Sequence, residues 1–495
     1  MPTIIVESAY GKVEGERIGD INVWKGIPYA KPPVGPLRFR APEPIEAWDG
    51  VRDATEFGPI APQVPSEVMN FLGTEMETAN EDCLYLNVWS PGADDKRRPV
   101  MVWIHGGAFA AGSGSSPMYD GTSFAVEGDV VVVTINYRLG VFGFLHVGEA
   151  GGEDFAGSGN CGIQDQVAAL RWVQENIEKF GGDPDRVTVF GESAGAMSIG
   201  VLLAFPSAKG LFHQAILQSG AAANIHNAEI AEKVASRLLA ALDIGPDDLG
   251  KLRDIPAEQL IKTAALLPYM SLVPVIDGVT LPKHPEQALA EGAASGIPVL
   301  IGTNKDEYRL FSYFDPRWKN EDEKEILSIF EQTFGLGWAG ISQQLPENEK
   351  LNQDIYDGLL TMSVFTAPAI RLAERQVKQG ASVWMYRFDW ESPVLEGGLK
   401  ACHALEIPFV WNTVKKPGVE KLTGDALERE KLARDMQQAW IHFAKSGNPN
   451  TQELPDWPAY ELEQRGVLIF NNEYTVVQDP NSEERKNWEE AKVRS

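Results

Sequence analysis

The chain has 495 residues, of which 43% are hydrophobic and 13 are tryptophans, enough for a large buried core. Its 70 acidic and 44 basic residues give a formal net charge of −26, which argues against nucleic acid as a partner because phosphate binding depends on clustered Lys and Arg. No run of about 18 apolar residues occurs, so we expect no membrane span.

The N-terminus and the cysteines indicate a compartment. Residues Met1 to Glu7 lack the basic and apolar regions of a signal peptide. The three cysteines, Cys83, Cys161 and Cys402, are too few and too odd in number for a disulfide framework. We therefore expect a soluble, unexported protein in a reducing cytoplasm, and we expect a monomer. No linker, repeat or low-complexity tract divides the chain, which predicts a single domain over residues 1–495.

The first elements in chain order are short apolar segments, Ile4 to Val6 and Asn22 to Trp24, separated by glycine turns. They predict a small N-terminal antiparallel sheet. Six short, nearly all-apolar runs follow, and such runs are typical of parallel strands buried on both faces. These runs are Val100 to Ile104, Val130 to Ile135, Val187 to Phe190, Ala215 to Leu217, Val299 to Ile301 and Val383 to Tyr386.

Helical periods separate these runs. Residues Asp165 to Phe180 place apolar side chains three and four positions apart, which predicts an amphipathic helix ending at Gly181-Gly182. The pattern predicts an α/β fold with a central, mostly parallel, twisted sheet flanked by helices. Three stretches, at about 227–295, 310–375 and 414–450, are predicted to be helical insertions that form the walls of a pocket.

The pentapeptide Gly191-Glu192-Ser193-Ala194-Gly195 follows one of the predicted strands and precedes a helix-compatible stretch. Strand, sharp turn, serine and helix are the parts of a nucleophile elbow, in which the serine adopts a strained backbone conformation. Glycine at 191 and 195 fits, because strand and helix crowd each other there. The elbow predicts Ser193 as a nucleophile.

A serine hydroxyl needs a neighbouring base, and the base needs a third group to orient it. In hydrolases built on such a sheet, the acid and then the histidine follow the nucleophile on loops beyond later strands. His403 is the histidine that lies on a loop after the last predicted strand, so we expect it to be the base. The other histidines are His105, His146, His213, His226, His284 and His442.

The strand Val299 to Ile301 leads into a loop with two adjacent carboxylates, Asp306 and Glu307. Either could orient the histidine, and the residue types do not separate them. An oxyanion also needs backbone donors. The N–H of Ala194 is one candidate, and the turn His105 to Phe109, with two glycines, is the other.

One further motif matches a nucleotide-binding fingerprint by its letters. The segment Gly157 to Gly162 has the glycine spacing, but the residues before it, Gly151 to Phe155, do not form a strand pattern. No phosphate-binding loop and no spaced metal-ligand motif occurs. We expect neither a cofactor nor a metal.

Taken together, these motifs resemble the type B carboxylesterases, the carboxylesterase and cholinesterase family, and most of all its bacterial para-nitrobenzyl esterase branch. The resemblance covers nearly the whole chain and implies the α/β-hydrolase fold. Its motifs are Lys25 to Ala30, Glu81 to Trp89, Asn136 to Arg138, Phe190 to Gly195, Lys305 to Glu307 and His403 to Phe409.

Carried over to this chain, the resemblance implies Ser193 as nucleophile, His403 as base and then acid, and Glu307 rather than Asp306 as the orienting carboxylate. It also implies Ser219 as a serine that supports the triad from behind. The implied oxyanion donors are the backbone N–H groups of Gly107, Ala108 and Ala194.

The activity implied is that of a serine carboxylesterase, which hydrolyses carboxylic esters with short to medium acyl chains, aryl esters included. Its partners would be a small-molecule ester and water. Phe109 lies near the oxyanion turn, Leu272 near the loop next to Pro274, and Phe311 near the loop of Asp306 and Glu307. These positions predict that the three side chains line the acyl pocket. Two alternatives are a lipase acting on long, water-insoluble esters and a catalytically silent binding or adhesion protein of the same fold.

Overall fold

The structure is a computed structural model of the chain. It describes residues 3–64, 78–319, 322–343, 345 and 350–494. Within these ranges no helix combines the length and the apolar character needed to cross a bilayer.

The described strands form one large sheet and one two-stranded pair, β10 with β11. The order in the large sheet is β1-β2-β3-β5-β7-β6-β8-β9-β12-β13-β14-β15, and β4 pairs with β2. The strands are β1 Thr3–Ser8, β2 Gly11–Ile18, β3 Ile21–Pro28, β4 Val51–Asp53, β5 Tyr85–Ser90, β6 Arg98–Ile104, β7 Val131–Ile135, β8 Gly182–Glu192, β9 Gln214–Gln218, β10 His226–Asn227, β11 Val275–Ile276, β12 Val299–Asn304, β13 Val383–Phe388, β14 Gly466–Phe470 and β15 Thr475–Gln478.

Helices fill most of the connections between strands, with short 3₁₀ turns among them and a π-helical turn at Thr361–Thr366. The α-helices are Thr122–Gly128, Gly140–Phe144, Cys161–Asn176, Ala194–Leu202, Ala228–Ala241, Ala257–Ala264, Pro285–Ala290, Arg309–Tyr313, Glu323–Phe334, Trp338–Ser342, Gln353–Leu360, Ala367–Lys378, Ile407–Val410, Glu420–Thr423, Glu428–Ser446 and Ser482–Arg494.

The six predicted core strands are confirmed as β6, β7, β8, β9, β12 and β13, and all neighbouring pairs among them are parallel. Both faces of this sheet are covered. In β6, Val100 and Val102 belong to one core cluster, whereas Met101 and Trp103 belong to another. Because successive side chains point to opposite faces of a strand, the continuous apolar run is explained by burial on both sides.

The predicted N-terminal antiparallel strands also form, as β1, β2 and β3. They are not a detached sheet, because β3 pairs antiparallel with β5, which itself pairs with β7 of the central sheet. The predicted amphipathic helix is Cys161–Asn176, continued by a 3₁₀ turn to Phe180, and it ends at Gly181 with a left-handed φ of 83°. The glycine-spaced segment before it follows a 3₁₀ turn, not a strand.

Candidate active site

The elbow is present. Strand β8 ends at Glu192, Ser193 follows with φ 54° and ψ −123°, and the helix Ala194–Leu202 begins directly after it. The turn is possible only with glycine at its flanks, since a Cβ on Gly195 would lie 1.9 Å from the carbonyl oxygen of Ile104. Strained backbone of this kind is found at functional sites and projects the serine away from the sheet.

Glu307 and His403, two residues 96 positions apart in the chain, meet beside the elbow. Nδ1 of His403 lies 2.6 Å from Oε2 of Glu307, and the other Glu307 oxygen accepts the N–H of Asn304 at 2.8 Å. Glu307 is fully buried and His403 is 5% exposed. A carboxylate held in this way fixes the tautomer of the imidazole, with Nδ1 protonated and Nε2 free to act as a base.

Asp306, the other carboxylate of the loop, faces elsewhere. Its side chain accepts the N–H of Ala401 at 3.3 Å, and its own N–H donates to the Ala401 carbonyl at 3.0 Å. The structure thus brings Glu307 to the histidine and leaves Asp306 fastening two loops together.

Nε2 of His403 lies 3.0 Å from Oε1 of Glu192, the residue before the elbow serine, in a contact that is not aligned as a hydrogen bond. No hydrogen bond joins Ser193 to His403 in the described structure. Burial, with Glu406 and Glu307 nearby, raises the pKa of Glu192 to about 8. Burial acts to lower the pKa of His403, but the Glu192 and Glu307 carboxylates outweigh it and raise that pKa.

Glu406 is a fourth ionisable group, next to Glu192, Glu307 and His403. Glu406 is fully buried, and its two oxygens accept from Gln218 at 3.1 Å and from Asn304 at 2.7 Å. Burial and the Glu307 carboxylate raise its pKa. The same Asn304 side chain donates to the carbonyl of Cys402, next to His403, at 2.7 Å. This network therefore ties the loop of Glu307 to the loop of His403.

The predicted oxyanion turn packs against the elbow. A Cβ on Gly106 would lie 3.1 Å from the Cβ of Ser193. Gly107 has φ 104° and Ala108 has φ 56°, and both line the cavity described next. The N–H groups of Gly107, Ala108 and Ala194 donate to no acceptor within the described residues. Ala194 lacks an acceptor because it is the first residue of its helix.

Ser193 and His403 open into a cavity of about 440 Å³ with mostly apolar walls. Leu272 and Phe311 line it, and the Phe311 ring centroid is 5.2 Å from that of His403. Phe109 does not line it as predicted: it is fully buried and packs edge-on against Phe144, with ring centroids 5.0 Å apart. The reason is that consecutive positive φ angles through residue 109 turn its side chain back into the core.

Two of the three predicted insertions supply walls of this cavity, through residues 261–272 and through Leu310 and Phe311. No described residue of 414–450 lines it. That stretch forms the helix Glu428–Ser446, which packs against the sheet and donates from Trp440 to Gln218 at 3.0 Å.

Ser219 is fully buried at the end of β9, and its hydroxyl has no hydrogen-bond partner in the described residues.

Sequence reasoning missed two residues of the site, Glu192 and Glu406. Each lies inside a motif named above, but the pattern of that motif assigns it no role. The available signal was a carboxylate embedded in a glycine-rich or apolar segment, since a buried charge is rare unless it has a function or a partner. No group of three or more His, Cys, Asp or Glu side chains able to hold a metal occurs among the described residues.

The model of the Carboxylesterase family matches residues 2–488 of the chain. Para-nitrobenzyl esterase of Bacillus subtilis (strain 168) is 47% identical over 493 residues, covering 97% of this chain and 98% of that protein. Phenmedipham hydrolase of Pseudarthrobacter oxydans is 36% identical over 489 residues and covers 96% of each chain.

Solved structures agree with these relatives. A carboxylesterase of Geobacillus stearothermophilus superposes with a TM-score of 0.88 at 50% identity, covering 98% of this chain and 99% of that one. A thermophilic PNB esterase gives a TM-score of 0.88 at 44% identity and the same coverage. The chain therefore belongs to the carboxylesterase family, has its α/β-hydrolase fold and is a carboxylic ester hydrolase.

Proposed function

We propose that Ser193, His403 and Glu307 are the catalytic triad of this ester hydrolase, working within one catalytic domain. The observation that carries the proposal is the 2.6 Å contact of His403 Nδ1 with Glu307 beside an elbow serine that opens into the cavity. The catalytically silent alternative does not agree with a chain in which all three side chains are present and adjacent loops hold them.

The reaction has two halves. Ser193 Oγ attacks the ester carbonyl carbon while His403 Nε2 takes the hydroxyl proton, and the imidazolium then protonates the alcohol as it leaves. Water attacks the acyl carbon of the acyl-enzyme while His403 Nε2 takes its proton, and the imidazolium returns that proton to Ser193 Oγ as the bond to the acyl group breaks and the carboxylic acid is released. Glu307 holds the imidazole in place through both halves.

Each half passes through a tetrahedral oxyanion. We propose that the N–H groups of Gly107, Ala108 and Ala194 stabilise it, supported by their lack of any acceptor in the described residues. Donors that are already free and fixed need no rearrangement when charge develops. We further propose that Ser219 supports the triad, because its chain neighbour Gln218 accepts the Ser193 N–H at 2.9 Å.

His403 must exchange one neighbour for another before it can act. In the free enzyme its Nε2 faces Glu192, so the imidazole turns toward Ser193 when a substrate enters. Loose contacts of this kind in an unliganded site tighten in the complex with substrate. Glu192, whose pKa is raised by burial, then lies beside the imidazolium that forms during the attack.

The properties of the cavity support the proposal that the substrates are neutral, apolar esters with short to medium acyl chains. Its volume of about 440 Å³ suits a small molecule. Among its described lining residues the only carboxylate is Glu192, and no Lys or Arg lines it. An ester carrying its own negative charge would find no partner there. A relative named for para-nitrobenzyl esters supports an alcohol group that carries an aromatic ring, and a relative named for phenmedipham supports aryl groups.

The decisive experiment replaces Ser193 with Ala and measures hydrolysis of para-nitrophenyl butyrate. We expect kcat to fall by roughly 10⁴-fold or more. An organophosphate aryl ester should add covalently to Ser193 in the parent enzyme, seen by mass spectrometry of the peptide, and should not add to the variant. Turnover retained by the folded variant would refute the proposal.

The charge preference has a matched substrate pair. Para-nitrophenyl butyrate and the para-nitrophenyl monoester of succinic acid have similar length and differ in the terminal carboxylate. We expect kcat/KM to be roughly tenfold or more lower for the succinate monoester, because its charge is desolvated without a partner. Equal values would show that the charged end stays in solvent.

A lipase is the second candidate. The observation that favours it is the exposure of Leu266 (79%) and Tyr269 (73%) on the segment that walls the cavity. Rates on a series of acyl chains, measured below and above the solubility of each ester, separate the two. A jump in rate above the solubility limit indicates a lipase, and a plateau indicates an esterase.

We also propose that the chain works as a monomer in the cytoplasm. The net charge of −26 supports a monomer through self-repulsion, and three buried, unpaired cysteines support a reducing compartment. Light scattering of the purified protein and fractionation of the cells that produce it test the two statements separately.

A further inference from the structure

His105 is the first residue of the predicted oxyanion turn, directly after β6, and its ring packs against Tyr137. The side chain is 1% exposed and stacks on Tyr137, with ring centroids 4.5 Å apart and an angle of 22° between the planes. The Tyr137 hydroxyl donates to the main-chain carbonyl of His105 at 2.8 Å. One tyrosine therefore fixes both the backbone and the ring.

The ring in turn holds the next peptide. Nδ1 of His105 lies 2.8 Å from the carbonyl oxygen of Gly106. A carbonyl can only accept, so Nδ1 is the protonated nitrogen in this tautomer. Burial lowers the pKa of His105 to about 4, so the ring stays neutral through the pH range in which esters are hydrolysed. Glycine at 112 leaves room for the contact, since a Cβ there would lie 2.6 Å from Nδ1.

Fixing that carbonyl also fixes an N–H. The structure has no cis peptide bond in its described residues, so the bond between Gly106 and Gly107 is trans, and its C=O and N–H point in opposite directions. The carbonyl end faces the ring of His105. The N–H end belongs to Gly107, which lines the cavity and donates to no acceptor in the described chain.

We propose that His105 is a positioning residue for ester hydrolysis: its Nδ1–H holds the Gly106 carbonyl and so directs the Gly107 N–H toward the oxyanion. The inference rests on the proposed function, because it assumes that this N–H meets the oxyanion of an ester attacked by Ser193. Glycine at 106 and 107 leaves the peptide free to rotate, and the ring removes that freedom before substrate arrives.

The first test is His105→Phe, which keeps a ring against Tyr137 and removes the donor. We expect kcat on para-nitrophenyl butyrate to fall roughly 10- to 100-fold with KM within about twofold, because the interaction is made in the transition state. Affinity for a trifluoromethyl ketone, which forms a tetrahedral adduct with the serine, should fall by a similar factor. A role in packing alone would lower the melting temperature without this split.

A second pair keeps the test valid if the Phe variant does not fold. His105→Asn and His105→Leu have nearly the same shape, both lose the ring stack, and only Asn places an N–H near the position of Nδ1. We expect kcat of the Asn variant to exceed that of the Leu variant at least roughly tenfold at similar melting temperatures. Equal kcat values for the pair, or an unchanged kcat in the folded Phe variant, would overturn the inference.

The parallel Ser193→Ala variant separates this inference from the proposed function. If that variant loses turnover while His105→Phe keeps the parental kcat, only the role of His105 is wrong. If Ser193→Ala keeps turnover, the proposed function itself fails.

Discussion

Nε2 of His403 lies 3.0 Å from Oε1 of Glu192, so the proposed base contacts the side chain that directly precedes the proposed nucleophile. Activity requires the neutral imidazole, and a nearby carboxylate stabilises the imidazolium and raises its pKa. Replacing Glu192 with Gln removes that charge. The pKa of His403 should then fall, and the acid limb of kcat/KM should move to lower pH by about one unit.

The measurement is a pH–rate profile on para-nitrophenyl butyrate. Glu229→Gln serves as the control, since Glu229 is an exposed residue paired with Lys233 on a remote helix. An acid limb that stays in place or moves to higher pH in Glu192→Gln would contradict the prediction.

A matched pair of variants, Glu307→Gln and Asp306→Asn, tests which of the two adjacent carboxylates orients His403. Glu307→Gln should lower kcat by roughly 10³- to 10⁴-fold, because the amide no longer holds the imidazole in its working tautomer. Asp306→Asn should keep kcat within about threefold, because Asp306 contacts Ala401 and not the histidine. Initial rates at saturating ester check both, and a larger loss in the Asp306 variant would reverse the assignment.

Ala108 has φ 56°, a left-handed conformation that costs an alanine about 1 kcal/mol. We expect Ala108→Gly to raise the free energy of unfolding by about 0.5 kcal/mol, since relief of strain exceeds the added freedom of the unfolded chain. Ala110→Gly is the control within the same turn, where φ is not positive, and it should lower stability. Urea unfolding of both variants gives the comparison, and loss of stability in both would show that Ala108 is not strained.

Phe311 and Phe109 differ in position, so their replacement should have different consequences. Phe311→Ala widens the cavity next to His403 and should change the ratio of kcat/KM for octanoate over butyrate esters by roughly tenfold. Phe109→Leu should cost about 1 kcal/mol of stability and leave that ratio unchanged, because Phe109 packs in the core. A changed ratio of kcat/KM for octanoate over butyrate in the Phe109 variant would show that Phe109 contacts the substrate.

The central sheet and the placement of a carboxylate loop and of His403 after the nucleophile follow from patterns visible in the sequence, whereas Glu307 is preferred over Asp306 only through the family resemblance. Continuous apolar runs reveal strands buried on both faces, and chain order places acid and base after the nucleophile. The attachment of the N-terminal strands to the central sheet was not predictable, because it depends on which edge β3 and β5 share and not on either strand alone.

The direction of individual side chains was also beyond the sequence. Proximity to the oxyanion turn predicts Phe109 in the pocket, but positive φ angles at non-glycine residues direct its side chain into the core. The sequence pattern predicts that the stretch 414–450 forms a wall of the pocket, whereas the apolar face of its long helix covers the sheet. The contact of Glu192 with His403 joins two segments that are distant in the sequence, and no local sequence pattern encodes such a contact.

Gly195 brings the start of its helix so close to Ile104 that even a methyl group would collide with the Ile104 carbonyl. The helix that follows the proposed nucleophile and the strand that carries the predicted oxyanion turn are thus in direct main-chain contact at this junction. The segment 261–272, by contrast, lines the cavity and lies outside this junction. Substitutions in the segment 261–272 can therefore change the range of substrates while the geometry around Ser193 is kept.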